Sequence, residues 1–230
     1  MLTRLTHLAL EVTALDAAQA FYADRFGLTA DRVTDREAVV PVGDTELRLR
    51  RPGPVPRGGL HTHFAFSGTP GSADAWRERL VDLEPEAVAF GSSLSLYVFD
   101  PDDNCVEIGC PAADGDADAD PPTGIFEVVL EVADLDAACG TYAALGFDPV
   151  DRGDGRTRIR LDGPMALELW EPHVGLAGGR GGVHVDLGFE TADPAAAADR
   201  IADRTTERTA VDGGVRVREA DGHWLTFRRG

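Results

Sequence analysis

The chain has 230 residues, 43% of them hydrophobic, a formal net charge of −18 at pH 7 and no lysine, so its strong side-chain cations are all arginines. That hydrophobic content is ordinary for a globular protein, no apolar run reaches the roughly 18 residues of a membrane span, and so acidic a surface repels nucleic-acid phosphate. Acid excess without lysine predicts adaptation to high salt, where counterions screen carboxylate repulsion, and an N-terminus that alternates too strongly for a signal peptide predicts a cytoplasmic protein.

In chain order, Leu8, Leu10 and Val12 alternate with His7, Ala9 and Glu11 over residues 5–12, which predicts a strand with one apolar face. Residues 13–27 predict a helix with Leu15, Ala18, Tyr22 and Phe26 on one side and Gly27 as its terminator. In 45–50, Leu47 and Leu49 oppose Glu46, Arg48 and Arg50; in 61–67, Thr62, Phe64 and Phe66 oppose His61, His63 and Ala65. A second helix is expected over 72–83, capped by Ser72 or Asp74. In 93–99, Leu94, Leu96 and Val98 oppose Ser93, Ser95 and Tyr97; in 104–109, Val106 and Ile108 oppose Cys105 and Glu107. Each strand therefore offers an apolar face to helices and a polar face elsewhere, and if the sheet curls the polar faces line a pocket. The three cysteines, Cys105, Cys110 and Cys139, follow no zinc or disulfide spacing and are expected as reduced, buried thiols.

The segment PAADGDADADPPT, residues 111–123, reads as a linker. Beyond it the pattern starts again. THLALEVTALDAAQAFYADRFGL from Thr6 matches FEVVLEVADLDAACGTYAALGF from Phe126. GGLHTHFAFS from Gly58 matches GGVHVDLGFE from Gly181, and LYVFDPDDNCVEIG from Leu96 matches VRVREADGHWLTFR from Val215. Such self-similarity predicts a duplication, with domains 1–110 and 124–230 on either side of the linker.

H-L-A-L-E-V followed by D-A-A-Q-A-F-Y-A-D-R-F-G-L, H-F-A-F-S at 63–67 and Y-V-F-D-P-D-D-N-C-V-E-I at 97–108 together resemble the vicinal oxygen chelate superfamily. That group includes glyoxalase I, extradiol dioxygenases, fosfomycin-resistance enzymes and bleomycin-binding proteins. The resemblance implies an α+β fold of tandem paired βαβββ modules whose curled mixed sheets enclose a cup. It also implies metal ligands at His7, His63 and Glu107, with Arg48 at a fourth position that glyoxalase I fills with glutamate. All four lie on the faces opposite the helix-packing residues. Two histidines and a carboxylate suit Fe2+, with Mn2+, Zn2+, Ni2+ or Co2+ as alternatives.

In the second half the matching positions hold Glu127, Glu168, Asp186 and Thr226, which reads as a degenerate copy, with Arg158, Arg160, Arg216 and Arg218 available to pair its carboxylates. A calcium or magnesium site there is the lesser reading. Three residues are further candidates for catalysis. Arg48 could hold an anionic substrate, and Tyr97 matches a tyrosine that contacts substrate in the families resembled. His61 could act as an acid–base group or alternative ligand, although its repeat partner His184 favours a structural role. The expected protein is a metal-dependent enzyme on a small substrate with vicinal oxygens, most like an extradiol-type dioxygenase, and a monomer or homodimer. The alternatives are a glyoxalase- or fosfomycin-resistance-like lyase or transferase, and a non-catalytic binding protein.

Overall fold

The computed structural model describes residues 1–53, 58–153, 158–172 and 182–230. Four β-α-β-β-β units follow one another. The first comprises β1 (Leu2–Glu11), α1 (Leu15–Phe26), β2 (Arg32–Val33), β3 (Glu37–Val42) and β4 (Thr45–Arg50). The second comprises β5 (Leu60–Ser67), α2 (Ala73–Arg79), β6 (Glu86–Phe90), β7 (Ser93–Phe99) and β8 (Cys105–Cys110). The third runs through β9 (Ile125–Glu131), α3 (Leu135–Leu145), β10 (Asp148–Arg152), β11 (Arg158–Asp162) and β12 (Ala166–Trp170). The fourth runs through β13 (Gly182–Thr191), α4 (Pro194–Asp199), β14 (Thr205–Val211), β15 (Gly214–Glu219) and β16 (Trp224–Arg229). This is a sheet-dominated α+β fold of βαβββ modules, as the resemblance implied. In every unit the helical crossover lays the first strand parallel to the last, as a connection of that length permits.

Helix α1 forms where the periodicity predicts it, with Leu15, Ala18, Tyr22 and Phe26 buried and Gly27 closing it at φ 69°, a conformation that costs glycine little. The second helix is shorter than expected. It ends at Arg79, and Val81–Leu83 form a separate tight turn of 3-10 helix. Ser72 occupies the cap position, but its hydroxyl donates to the Thr69 carbonyl at 2.6 Å rather than capping the helix. The three cysteines are free and buried.

The units pair differently from the halves read in the sequence. Strand β1 runs antiparallel to β13, so the first and fourth units share the strand order β2-β3-β4-β1-β13-β16-β15-β14. Strand β5 runs antiparallel to β9, so the second and third units share the order β6-β7-β8-β5-β9-β12-β11-β10. A short bridge, Gly182 to His61 and Val183 to Leu60, joins the two. The expectation that 1–110 and 124–230 each enclose their own cup is therefore corrected: each cup takes one unit from each half. Alternation reveals which face of a strand is apolar, but not which neighbour its edge will find.

What each half does assemble by itself is core. Phe26 of α1 packs on Phe66 of β5 at 5.2 Å and on Trp76 of α2 at 5.6 Å between ring centroids. In the second half Phe147, just after α3, packs on Phe189 of β13 at 5.9 Å. Aromatic contacts thus join the units within each half and cups form across the halves, because successive side chains of one strand serve the two opposite faces. The linker 111–123 is part of this packing. Ala117 and Ala119 turn inward while Asp116, Asp118 and Asp120 stay exposed, and Arg79 donates to the Ala119 carbonyl at 2.8 Å. The paired glycines of the repeat are only partly visible, since Gly181 lies outside the described residues.

Candidate metal centre

Ala65 sits at the middle of the cup built by the second and third units. In register it faces Glu107 of β8 on one side and Glu127 of β9 on the other. Its small side chain leaves both carboxylates free to turn inward, and His63 lies two residues away on the same strand face. His63 Nε2 stands 3.2 Å from Glu107 Oε2 and 3.6 Å from Glu127 Oε1. One ligand atom from each of the three lies within 4.8 Å of the others, and all three residues are buried.

Each member of the cluster is held by neighbours. Ser95 donates to Glu107 Oε1 at 2.6 Å. Tyr97 stands opposite Glu107 across β7 and β8 and packs edge-on to His63 at 5.3 Å. Arg160 binds Glu127 and also Glu168, the latter at 2.9 Å. Glu168 is bound as well by Arg158 at 3.1 Å and by the Trp170 indole N–H at 2.7 Å. His63, Glu107, Glu127 and Glu168, with these neighbours, line a cavity of about 920 Å³. Arg158 and Arg160 thus act as carboxylate partners in the way the sequence anticipated.

The electrostatics are those of a cation site. Burial by itself would lower the His63 pKa, but Glu107 and Glu127 outweigh it and push the imidazole up to about 9. Burial opposes the charge on Glu127 as well, yet His63 and Arg160 hold its pKa below the usual carboxylate range. Burial, then Glu107, raises the Tyr97 phenol, which stays neutral. Glu107 Oε2 faces only His63, at 3.2 Å. A buried imidazole and two buried carboxylates with converging donor atoms fit a divalent ion, since first-row ions draw such donors to about 2.0–2.2 Å.

The other sequence-derived candidates lie elsewhere. His7 is in the cup of the first and fourth units, where β1 pairs it with Gly188 of β13 and Asp186 Oδ2 stands 3.3 Å from its Nε2. It does not join His63 and Glu107, because β1 borders β4 and β13 whereas β5 borders β8 and β9. Arg48 shares the cup of His7 and is clasped to Glu46 at 2.5 Å and 2.8 Å. Thr226 donates to Asp186 at 2.7 Å, and Arg50 and Arg216 approach the same carboxylate at 3.5 Å and 3.8 Å. Burial opposes the charge on Asp186, but His7, Arg50 and Thr226 hold its pKa at about 2, while burial leaves His7 lowered. Among the described residues that cup is an ion-pair network around Asp186, with His7 as its one imidazole.

His61 is fully buried away from the cavity, 6.1 Å from the His184 ring, which stacks on His223 at 4.7 Å. Its place is the bridge between the two cups, so a catalytic role is withdrawn. Of the residues named in advance, the structure gathers His63, Glu107 and Tyr97 in one cavity. Glu127 and Glu168, read in sequence as remnants, complete it. The signal was present in the residue types. Pairing units two and three collects histidine and three glutamates, whereas pairing one and four collects histidine, arginine, aspartate and threonine.

Residues 4–147 match the glyoxalase/bleomycin resistance protein/dioxygenase superfamily. Among solved structures, the chain resembles a putative dioxygenase from Bacillus subtilis at 14% identity and TM-score 0.75, covering 99% of this chain and 85% of that one. It also resembles glyoxalase I from Zea mays at 19% identity and TM-score 0.69, covering 97% and 91%. A comparison with curated proteins finds no match. Among the described residues no helix is long and apolar enough to cross a membrane.

Proposed function

The chain belongs to the glyoxalase/bleomycin resistance protein/dioxygenase superfamily, and from that premise we propose that it is a divalent-metal-dependent enzyme in which His63, Glu107 and Glu127 hold one ion. The observation that carries this reading is the cluster itself: one imidazole and two carboxylates with donor atoms within 4.8 Å, lining a cavity of about 920 Å³. An ion bound there supplies Lewis-acid polarisation to adjacent substrate oxygens. The chain's own residues arrange the rest. Ser95 fixes one oxygen of Glu107 and leaves Oε2 to ligate, or to accept a proton from a substrate C–H or O–H. Arg158, Arg160 and Trp170 hold Glu168 back, so three protein ligands remain and coordination positions stay open for substrate.

The donor set bears on the reaction class. An extradiol-type dioxygenase using non-haem iron would call for two histidines and one carboxylate. One histidine and two carboxylates form a harder set, which favours Mn2+ or a similar ion and redox-neutral chemistry of the glyoxalase or fosfomycin-resistance kind. The fourth position, which glyoxalase I fills with glutamate, is held in this cup by Glu168 rather than Arg48. The test is metal titration. Purified protein should bind one Mn2+ or Fe2+ per chain, followed by electron paramagnetic resonance or calorimetry. His63→Ala should abolish that binding and His7→Ala should leave it intact. Retention of the ion by His63→Ala, or its loss in His7→Ala, would contradict the assignment. A folded chain that takes up no divalent ion would leave the non-catalytic binding reading in its place.

A further inference from the structure

Arg160 lines the metal cavity and keeps a third of its side chain exposed. Its contacts are lopsided. Both carboxylates it binds, Glu127 and Glu168, are bound through Nη1. Among the described residues Nε and Nη2 have no protein partner. In a guanidinium, Nε–H and one Nη2–H point in parallel along one edge, a fork that matches the two oxygens of a carboxylate. The two glutamates therefore fix the plane of the group while leaving its bidentate edge vacant. Arg158 differs: it is stretched between Glu168 at 3.1 Å and Asp151 at 2.7 Å, and has one of these acids on each of its terminal nitrogens.

Resting on the metal reading above, we propose that the Nε/Nη2 edge of Arg160 is the substrate-recognition fork of the cup, and that the substrate is a small monocarboxylate with an apolar body. The body is specified by the cavity wall, where Val88, Phe90, Phe126 and Trp170 face the space and Phe90 is half exposed at its rim. Charge is specified by the one vacant fork among the described residues that line the cavity. A phosphonate or phosphate dianion would be better matched by two uncommitted arginines, and among the described residues the neighbouring Arg158 is already engaged. Compactness is specified by Glu127, which touches Arg160 with one oxygen and approaches His63 with the other. A ligand that grips both the fork and the ion carries its carboxylate only a few bonds from the oxygens it offers the ion.

The experiment is equilibrium binding of benzoate, its neutral isostere benzamide, and phenylphosphonate to the full chain, with saturating Mn2+ and again without metal. Benzoate is expected to bind at least about ten-fold more tightly than benzamide, as one charge-assisted bidentate contact provides. Arg160→Gln should remove that preference, with the ion content of the variant measured alongside because Arg160 also holds Glu127 and Glu168, and Arg160→Lys should restore part of it. Equal affinity for benzoate and benzamide, or a benzoate preference that survives Arg160→Gln, overturns the proposal. Tighter binding of phenylphosphonate than benzoate overturns the carboxylate assignment. Failure of Mn2+ to bind sinks the metal reading alone. The metal-free titration then judges the fork, which stands if the benzoate preference persists and is lost in Arg160→Gln, and falls otherwise.

Discussion

His63 carries the most testable chemistry of any single residue. Its folded pKa of about 9 lies above the ordinary histidine value because Glu107 and Glu127 favour the imidazolium. In the metal-free protein this contribution to stability is complete below about pH 6.5, where the unfolded chain is protonated too, and fades as pH rises through about 9. A divalent ion must displace that proton. Mn2+ affinity is therefore expected to rise roughly ten-fold per pH unit from about pH 6.5 towards 9, with about one proton released per ion at neutral pH. Titrations at three pH values in that range check this, and a dissociation constant that does not move with pH would count against it. At the same scale, Gly188 is the cup-facing counterpart of Ala65. A Cβ there would lie 2.1 Å from His7 Nδ1, so Gly188→Ala should displace His7 and lower the melting temperature. Ala65→Gly, which opens space without a clash, should cost only about 1 kcal/mol in a strand. Thermal denaturation of the two variants separates these outcomes.

Elements determine which side chains meet. Strand β5 is bordered by β8 of its own half and β9 of the other, and the His63–Glu107–Glu127 cluster draws one residue from each of the three. Separately produced fragments 1–110 and 111–230 are therefore each expected to lack the site. Mixed, they should form a one-to-one complex that recovers Mn2+ binding. Full affinity in fragment 1–110 alone would contradict the cross-half cup. The helices play a different part. Phe26 of α1 locks β5 and α2 together within one half, so Phe26→Ala should cost about 3–5 kcal/mol and lower stability in denaturant. Metal affinity should change little as long as the chain remains folded, because the apolar and cup faces of β5 are opposite sides of one strand.

At the scale of the whole molecule, a net charge of −18 meets a surface on which arginines pair with acids locally, as Arg25 does with Asp82 at 2.6 Å and Arg208 with Asp199 at 2.5 Å. Such exposed pairs contribute little each, and the unpaired excess of carboxylates repels. The melting temperature should therefore climb between about 0.05 M and 2 M KCl as the screening length falls from over 10 Å to about 3 Å or less. A melting temperature flat across that series would show that the acid excess is not limiting. The strands over 5–12, 45–50, 61–67, 93–99 and 104–109, the first helix with its glycine stop and the facing of His63, Glu107 and Tyr97 were legible in the chain itself. Periodicity, turn chemistry and residue type are local properties, and each strand carries its own record of which side is apolar. The partnership of Glu127 with His63, the removal of His7 and Arg48 to a second cup, and the burial of His61 at the bridge were decided only by tertiary structure. Four similar units can pair edge to edge in more than one way with the same faces buried. The choice rests on how the linker and the shared cores bring β9 beside β5 and β13 beside β1, a sum of long-range contacts that no local window of sequence contains.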